Sequence, residues 1–172
     1  MSYCQYCRNL PPDNPHRRYH DEVYGRKISD DNELFGRLIL EMNQAGLSWD
    51  IILKREAHFR AAYDGYQIDA VARYNQADID RLMQNPGVIR NRLKIEAAIY
   101  NAKQILALKE VHGSFMDWIV GQQIKNKEEW VKVFKKNFKF VGQEIVREFL
   151  LSIGAMEGSH ESDCPIFQQL KK

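Results

Sequence analysis

From Asp30 to Ile153 the apolar side chains recur on a 3.6-residue period, and that feature leaves little room for anything but helices. Leu34, Phe35, Leu38, Ile39 and Met42 share one arc. Ile95, Ala98, Ile99, Ala102, Ile105 and Leu106 form a stripe in the longest run, spanning residues 92–110. Ile145, Val146, Phe149, Leu150 and Ile153 form another over residues 143–153. The pattern predicts further helices over residues 48–63, 70–74, 78–84 and 126–137, and a short one opened by a capping box at Ser114-Phe115-Met116-Asp117. Asp30 or Asp31 caps the first, and Gly46 follows its end. No run alternates with period two. The fold class is therefore all-α.

A chain of 172 residues suits one domain with a real apolar core. Its helical core is expected over 30–153, with the termini, 1–29 and 154–172, forming a separate lobe of that domain. Pro11, Pro12 and Pro15 exclude a long helix near the N-terminus, which reads as irregular. No run of about 18 apolar residues occurs and no apolar leader core follows Met1, so no membrane partner and a cytoplasmic location are expected. Nothing in the pattern asks for more than a monomer.

The net charge of +2 does not by itself call for a polyanion. Basic residues do gather: Lys125, Lys127, Lys132, Lys135, Lys136, Lys139 and Arg147, set against Glu128, Glu129 and Glu144. Arg90, Arg92 and Lys94 follow a Pro-Gly turn. Such patches can meet phosphates, although solvated helix faces are the plainer reading.

One carboxylate is oddly placed. With residues set about every 100° and Leu34 at zero, Glu41 falls at roughly −20°, beside the apolar arc and away from its solvent-facing opposite. It either reaches water from the edge of the stripe or sits in a pocket and needs a cationic or hydrogen-bond-donating ligand. Directly after it come Gly46, which permits a tight turn, Leu47, an apolar side chain at that turn, and Trp49. Further along the chain, Asn85-Pro86-Gly87-Val88-Ile89-Arg90 joins two helices. Backbone N–H groups of such a turn can bind a phosphate without reading sequence.

Cys4, Cys7 and Cys164 are an odd number of cysteines, in a compartment where disulfides are not expected. His160 stands four residues before Cys164, and His16 and His20 lie near the first two. Two sulfurs and two imidazoles suit a tetrahedral Zn²⁺ that would clip the termini together. Spacing alone leaves Cys4 and Cys7 in competition.

These pieces together resemble the 3-methyladenine DNA glycosylase I family of the helix–hairpin–helix glycosylase superfamily. The resemblance runs from Cys4 to about Cys164 and is carried by Tyr19-His20-Asp21, Gln44-Ala45-Gly46-Leu47-Ser48-Trp49, Gly87-Val88-Ile89-Arg90 with Lys94-Ile95, and Phe138-Lys139-Phe140-Val141-Gly142. It implies a helical bundle of helix–hairpin–helix glycosylase type. It also implies an enzyme that flips a cationic 3-methyladenine from double-stranded alkylated DNA and hydrolyses its bond to the sugar without strand cleavage. The alternative on the same scaffold is a non-catalytic binder of damaged or abasic DNA. The implied catalytic and pocket residues are Glu41, Tyr19 and Trp49, with Tyr24 and Tyr6 as further walls. Gly46, Leu47, Gly87, Val88, Ile89 and Arg90 are the implied DNA contacts, and Cys4, His20, His160 and Cys164 the ligands of a structural zinc ion. Val23-Tyr24-Gly25 stands where the family commonly has Glu-Trp-Gly, and Tyr6 where a Trp is familiar.

Overall fold

The structure is a computed structural model that describes residues 1–124 and 126–171; Lys125 of the basic run lies outside them. All regular elements among the described residues are helical. The N-terminal segment, expected to be irregular, instead opens with two short helices, α1 (Tyr3–Arg8) and α2 (Pro15–Arg18). Local capping explains them. The Ser2 hydroxyl accepts from the Gln5 amide at 3.2 Å while the Gln5 side chain accepts from the Ser2 amide at 3.3 Å. Asn14 caps α2, and Pro15 takes its first position, where a missing N–H costs nothing. The prolines limit helix length here and not helicity. α2 runs on into a widened π-helical turn, Tyr19–Val23, that carries Tyr19 and His20 inward.

The core begins with α3 (Asp31–Gln44), capped by the Asp30 carboxylate on the Asn32 and Glu33 amides. After a turn at Gly46, with φ at +81°, come α4 (Trp49–Ala62), a 3₁₀ turn (Asp64–Tyr66), α5 (Ile68–Ala72) and α6 (Gln76–Gln84). α7 (Arg92–His112) is the longest, followed by α8 (Phe115–Gly121), α9 (Lys127–Asn137) and α10 (Gln143–Ser152). α11 (Pro165–Leu170) closes the chain. The apolar stripes of α3, α7 and α10 meet in one core, and α3 packs on α4, α5, α7, α8 and α10. Buried so widely, α3 can hold a polar side chain only where a cavity or partner receives it.

Two polar ties fix α3 at its ends. Asp31 does not cap its own helix. Its carboxylate accepts from the Phe115 amide at 3.0 Å, and so caps the start of α8, while Lys109 approaches it at 3.1 Å. At the other end the buried Lys94 ammonium donates to the Asn43 and Ala45 carbonyls, each at 2.9 Å. These are carbonyls that the end of α3 leaves without helical partners. Burial lowers the Lys94 pKa.

The terminal segments meet the core along a narrow seam. The Gly25 amide donates to the Ser152 carbonyl at 2.9 Å. Gly154, with φ at +69°, passes so close that a Cβ there would lie 2.7 Å from the Gly25 carbonyl oxygen. Only glycine fits both that dihedral and that distance.

Candidate functional site

At this seam lies a cavity of about 510 Å³. Glu41 enters it from α3, Trp49 from the start of α4, and Tyr19 and Tyr24 from the π turn and the residue after it. Tyr3 of α1, the Arg147-Glu148 pair of α10 and Ser159-His160-Glu161 of the C-terminal segment add further walls. Glu41, which the helical wheel put at the border of the stripe, is only 5% exposed. Burial, and after it the charge of Glu148, push its carboxyl up to about 8, with Arg37 pulling the other way. Near neutral pH such a group is mostly protonated until a cation comes beside it, and then it ionises.

The surrounding groups are π-faces with few satisfied polar tips. The Tyr19 ring meets Trp49 edge-on with centroids 5.2 Å apart, and the Arg37 guanidinium lies 5.0 Å from the same tyrosine ring. The Tyr19 hydroxyl is buried with no hydrogen-bond partner, an unusual state for a buried O–H and one that a ligand can relieve. Burial raises its pKa, as it does that of Tyr24. Tyr24 donates to Glu148 Oε2 at 3.4 Å and packs edge-on against Tyr3.

The sequence reading needs one correction among the pocket residues. Tyr6 does not line the cavity. It is 41% exposed, and its ring edge rests on His16, centroids 5.3 Å apart. The turn of α1 puts Tyr3, three residues earlier, at the wall instead, which the reading missed. Their i,i+3 relation gave both tyrosines the same helical face, so spacing could have raised Tyr3 as a candidate. Glu148 was missed too; on the helical wheel it falls well away from Val146, Phe149 and Leu150, so spacing held no signal for it.

The expected phosphate-binding turn is partly turned inward. The Gly87 amide donates to Asn85 Oδ1 at 2.8 Å and the Val88 side chain is buried. Among the described residues this leaves the Ile89 and Arg90 amides without an internal partner, next to the exposed Arg90 side chain. Leu47, the apolar side chain at the turn and an implied DNA contact, is half-buried against the core, and Gln44 donates to its carbonyl at 2.8 Å. Gly46 is exposed at the tip. Of the basic run, Lys127 pairs with Glu144 at 3.1 Å and Arg147 with Glu144 and Glu148, so part of that face is internally neutralised.

At one wall of the cavity, which Cys4 and His160 help line, Cys4, His20, His160 and Cys164 converge, all buried, with one donor atom of each within 4.8 Å of the others. The two imidazole nitrogens are 3.2 Å apart, and Cys4 Sγ is 3.3 Å from His20 Nε2. The remaining sulfur–nitrogen distances are 3.7 Å. A tetrahedral ion with nitrogen and sulfur ligands has edges of roughly 3.3–3.8 Å, so these five distances are close to those a bound metal ion requires. The outer contacts agree. His20 Nδ1 faces Asp21 at 2.7 Å and His160 Nε2 faces the Tyr24 carbonyl at 2.8 Å, which leaves the other nitrogen of each ring free to coordinate. Cys7 and His16 stand apart: the Cys7 thiol donates to the His16 carbonyl, and His16 Nδ1 faces Tyr3 Oη at 3.2 Å.

Comparison with known proteins leads to the same place. The family model described as methyladenine glycosylase matches residues 10–135. The chain is 33% identical over 166 residues to the DNA-3-methyladenine glycosylase of Haemophilus influenzae, covering 86% of this chain and 89% of that one. It is 32% identical over 155 residues to DNA-3-methyladenine glycosylase 1 of Escherichia coli, covering 79% and 83%. In three dimensions it superposes with a TM-score of 0.82 and 29% identity on 3-methyladenine DNA glycosylase I from Staphylococcus aureus, in a structure of 3-methyladenine recognition. That match covers 96% of this chain and 97% of the other.

Proposed function

This chain belongs to the methyladenine glycosylase family, and on that premise we propose that it excises 3-methyladenine from alkylated DNA and leaves an abasic site. The observation that carries the reading is the buried Glu41 carboxyl facing a cavity walled by Tyr19, Tyr24 and Trp49. A purine methylated at N3 is a fixed cation while it is still attached to the sugar. Aromatic faces favour a cation by about 0.5–2 kcal/mol each, depending on desolvation. An ionised carboxylate adds charge-assisted hydrogen bonds from the exocyclic amine. Undamaged adenine brings no charge, so Glu41 stays protonated and the pocket gains little from it.

The reaction then asks little of the protein. Water adds at the anomeric carbon, the bond to the purine breaks with its electron pair going to the base, and the base leaves neutral; the water gives up one proton. Glu41 accepts from the flipped base, Tyr19 orients it with the hydroxyl that lacks a partner, and Trp49 stacks on it. Extrusion from the duplex costs a few kcal/mol. The exposed Gly46 turn and the Ile89–Arg90 backbone, with Leu47, offset part of that by holding the distorted strand. The cavity lining contains no lysine among the described residues, which supports a monofunctional enzyme without Schiff-base chemistry. Cys4, His20, His160 and Cys164 would hold a zinc ion in a structural role, joining the two termini into the wall behind Tyr24.

The test is direct. Wild-type protein incubated with methylated double-stranded DNA should release free 3-methyladenine, identified by mass. A Glu41→Ala, Trp49→Ala double variant should lose about 100-fold or more in rate, of the order expected when a charge contact and a stacking face go together. Equal release by both proteins would sink the reading.

A further inference from the structure

We propose that Glu148 is a second carboxylate of the base pocket, a positioning residue whose charge, lining the same cavity as Glu41, ties base release to pH and to the cationic state of the purine. The inference rests on the functional reading above and goes beyond it by giving the pocket an anionic pair.

The geometry comes first. Glu148 lies on α10, which packs against α3, and both Glu41 and Glu148 line the same cavity. Tyr24, itself a wall, donates to one Glu148 oxygen at 3.4 Å, and Arg147 pairs with the other. The carboxylate is thus fixed at the rim by two partners, and about a third of its side chain remains open to solvent. It differs from Glu41 in both respects. Burial pushes the carboxyl of the first toward its neutral form, whereas the second lies in reach of water and of the Arg147 guanidinium.

The groups facing Glu41 can be counted by element. Arg37 lies one turn back on α3, Tyr19 and Tyr24 face it from the terminal lobe, and Glu148 with Arg147 faces it from α10. From α4 comes Trp49, which carries no charge. From α7, Lys94 is spent on the carbonyls of Asn43 and Ala45. From the terminal segments Cys4, His160 and the carboxylate of Glu161 also line the cavity, but after burial it is the charge of Glu148 that most raises the titration of Glu41. A cation entering the cavity meets the rim charge first and then allows Glu41 to ionise. A neutral purine does neither.

The test compares wild type with Glu148→Gln and Glu148→Asp, which keep near-native shape. Single-turnover release of 3-methyladenine from methylated DNA is followed from pH 6 to pH 9, alongside ¹³C titration of Glu41 assigned by Glu41→Gln. In Glu148→Gln the Glu41 midpoint should fall by about one pH unit. Release should then match or exceed wild type near pH 6 and drop about tenfold near pH 9, where the second charge is missing. Glu148→Asp should restore the wild-type profile. A Glu41 midpoint that does not move, or a Glu148→Gln rate lowered by one factor at every pH, would overturn the proposal. Failure of the underlying function would look different: wild type itself would release no 3-methyladenine at any pH.

Discussion

The helical core and the terminal lobe are held by different physics. Through the core, apolar side chains from α3 to α10 are buried continuously, and the Phe149 ring sits 6.2 Å from Phe115 and 5.7 Å from Phe134. The lobe has no comparable interior. One of its apolar clusters is Cys4, Cys164 and Ile166 with Phe167, and the other gathers Tyr19, Tyr24 and Leu151. Its helices have six, four and six residues, far too few to persist in water alone. What joins the two ends of the chain is polar: the Cys/His cluster and the Ser2 hydroxyl on Glu161 at 2.6 Å. One half is thus closed by burial, and the other carries a Cys/His cluster suited to ligation. The cavity, lined from both halves, depends on each.

The largest effect should come from attacking the ligation. Chelation, or His160→Ala, should remove the metal, cut base release by about 100-fold or more, and leave most of the core's circular dichroism signal. Full activity without metal would erase the contrast between the two halves. Phe149→Ala, deep in the core, should cost about 3–5 kcal/mol in a denaturant titration, because the cavity it leaves cannot collapse. A loss below 1 kcal/mol would mean that the core is not the rigid half.

Smaller effects probe the border itself. Glu41 is raised in the folded state from its ordinary value to about 8. Its contribution to stability is therefore fully present below about pH 4.5 and is lost as the pH rises through 8, a fall on the order of a few kcal/mol. Glu41→Gln should flatten that decline in a pH series of melts; a parallel decline would place the titration elsewhere. Tyr19→Phe should have the least effect on stability. Removing a buried hydroxyl that has no partner should leave it unchanged or higher by up to about 1 kcal/mol. Base release should still slow, and a clear destabilisation would show that the hydroxyl already has a partner.

Most of the core could be read from spacing. The stripes of α3, α7 and α10 lie where the 3.6-residue period puts them, because burial on one face is what makes those helices form. The lobe was less legible. α1 and α2 depend on single caps at Ser2 and Asn14 and not on an apolar pattern, so the prolines dominated the reading. Within the site, the wheel could show that Glu41 was misplaced but not that it is buried, since the walls that cover it come from both ends of the chain. Tyr3 and Glu148 are separated by most of the sequence, and only folding makes them neighbours of one cavity. The cluster of Cys4, His20, His160 and Cys164 agrees with the ligand set that the family resemblance implied, whereas spacing alone left Cys7 standing beside Cys4.

The buried Lys94 has a consequence for scale. By gripping the last carbonyls of α3 from the first turn of α7, it welds the stretch after Arg90 to the helix that bears Glu41. A strand held at once by the Ile89 and Arg90 amides and at the carboxyl would be held at a set span, as between the jaws of a caliper, and would have to offer a matching length of backbone.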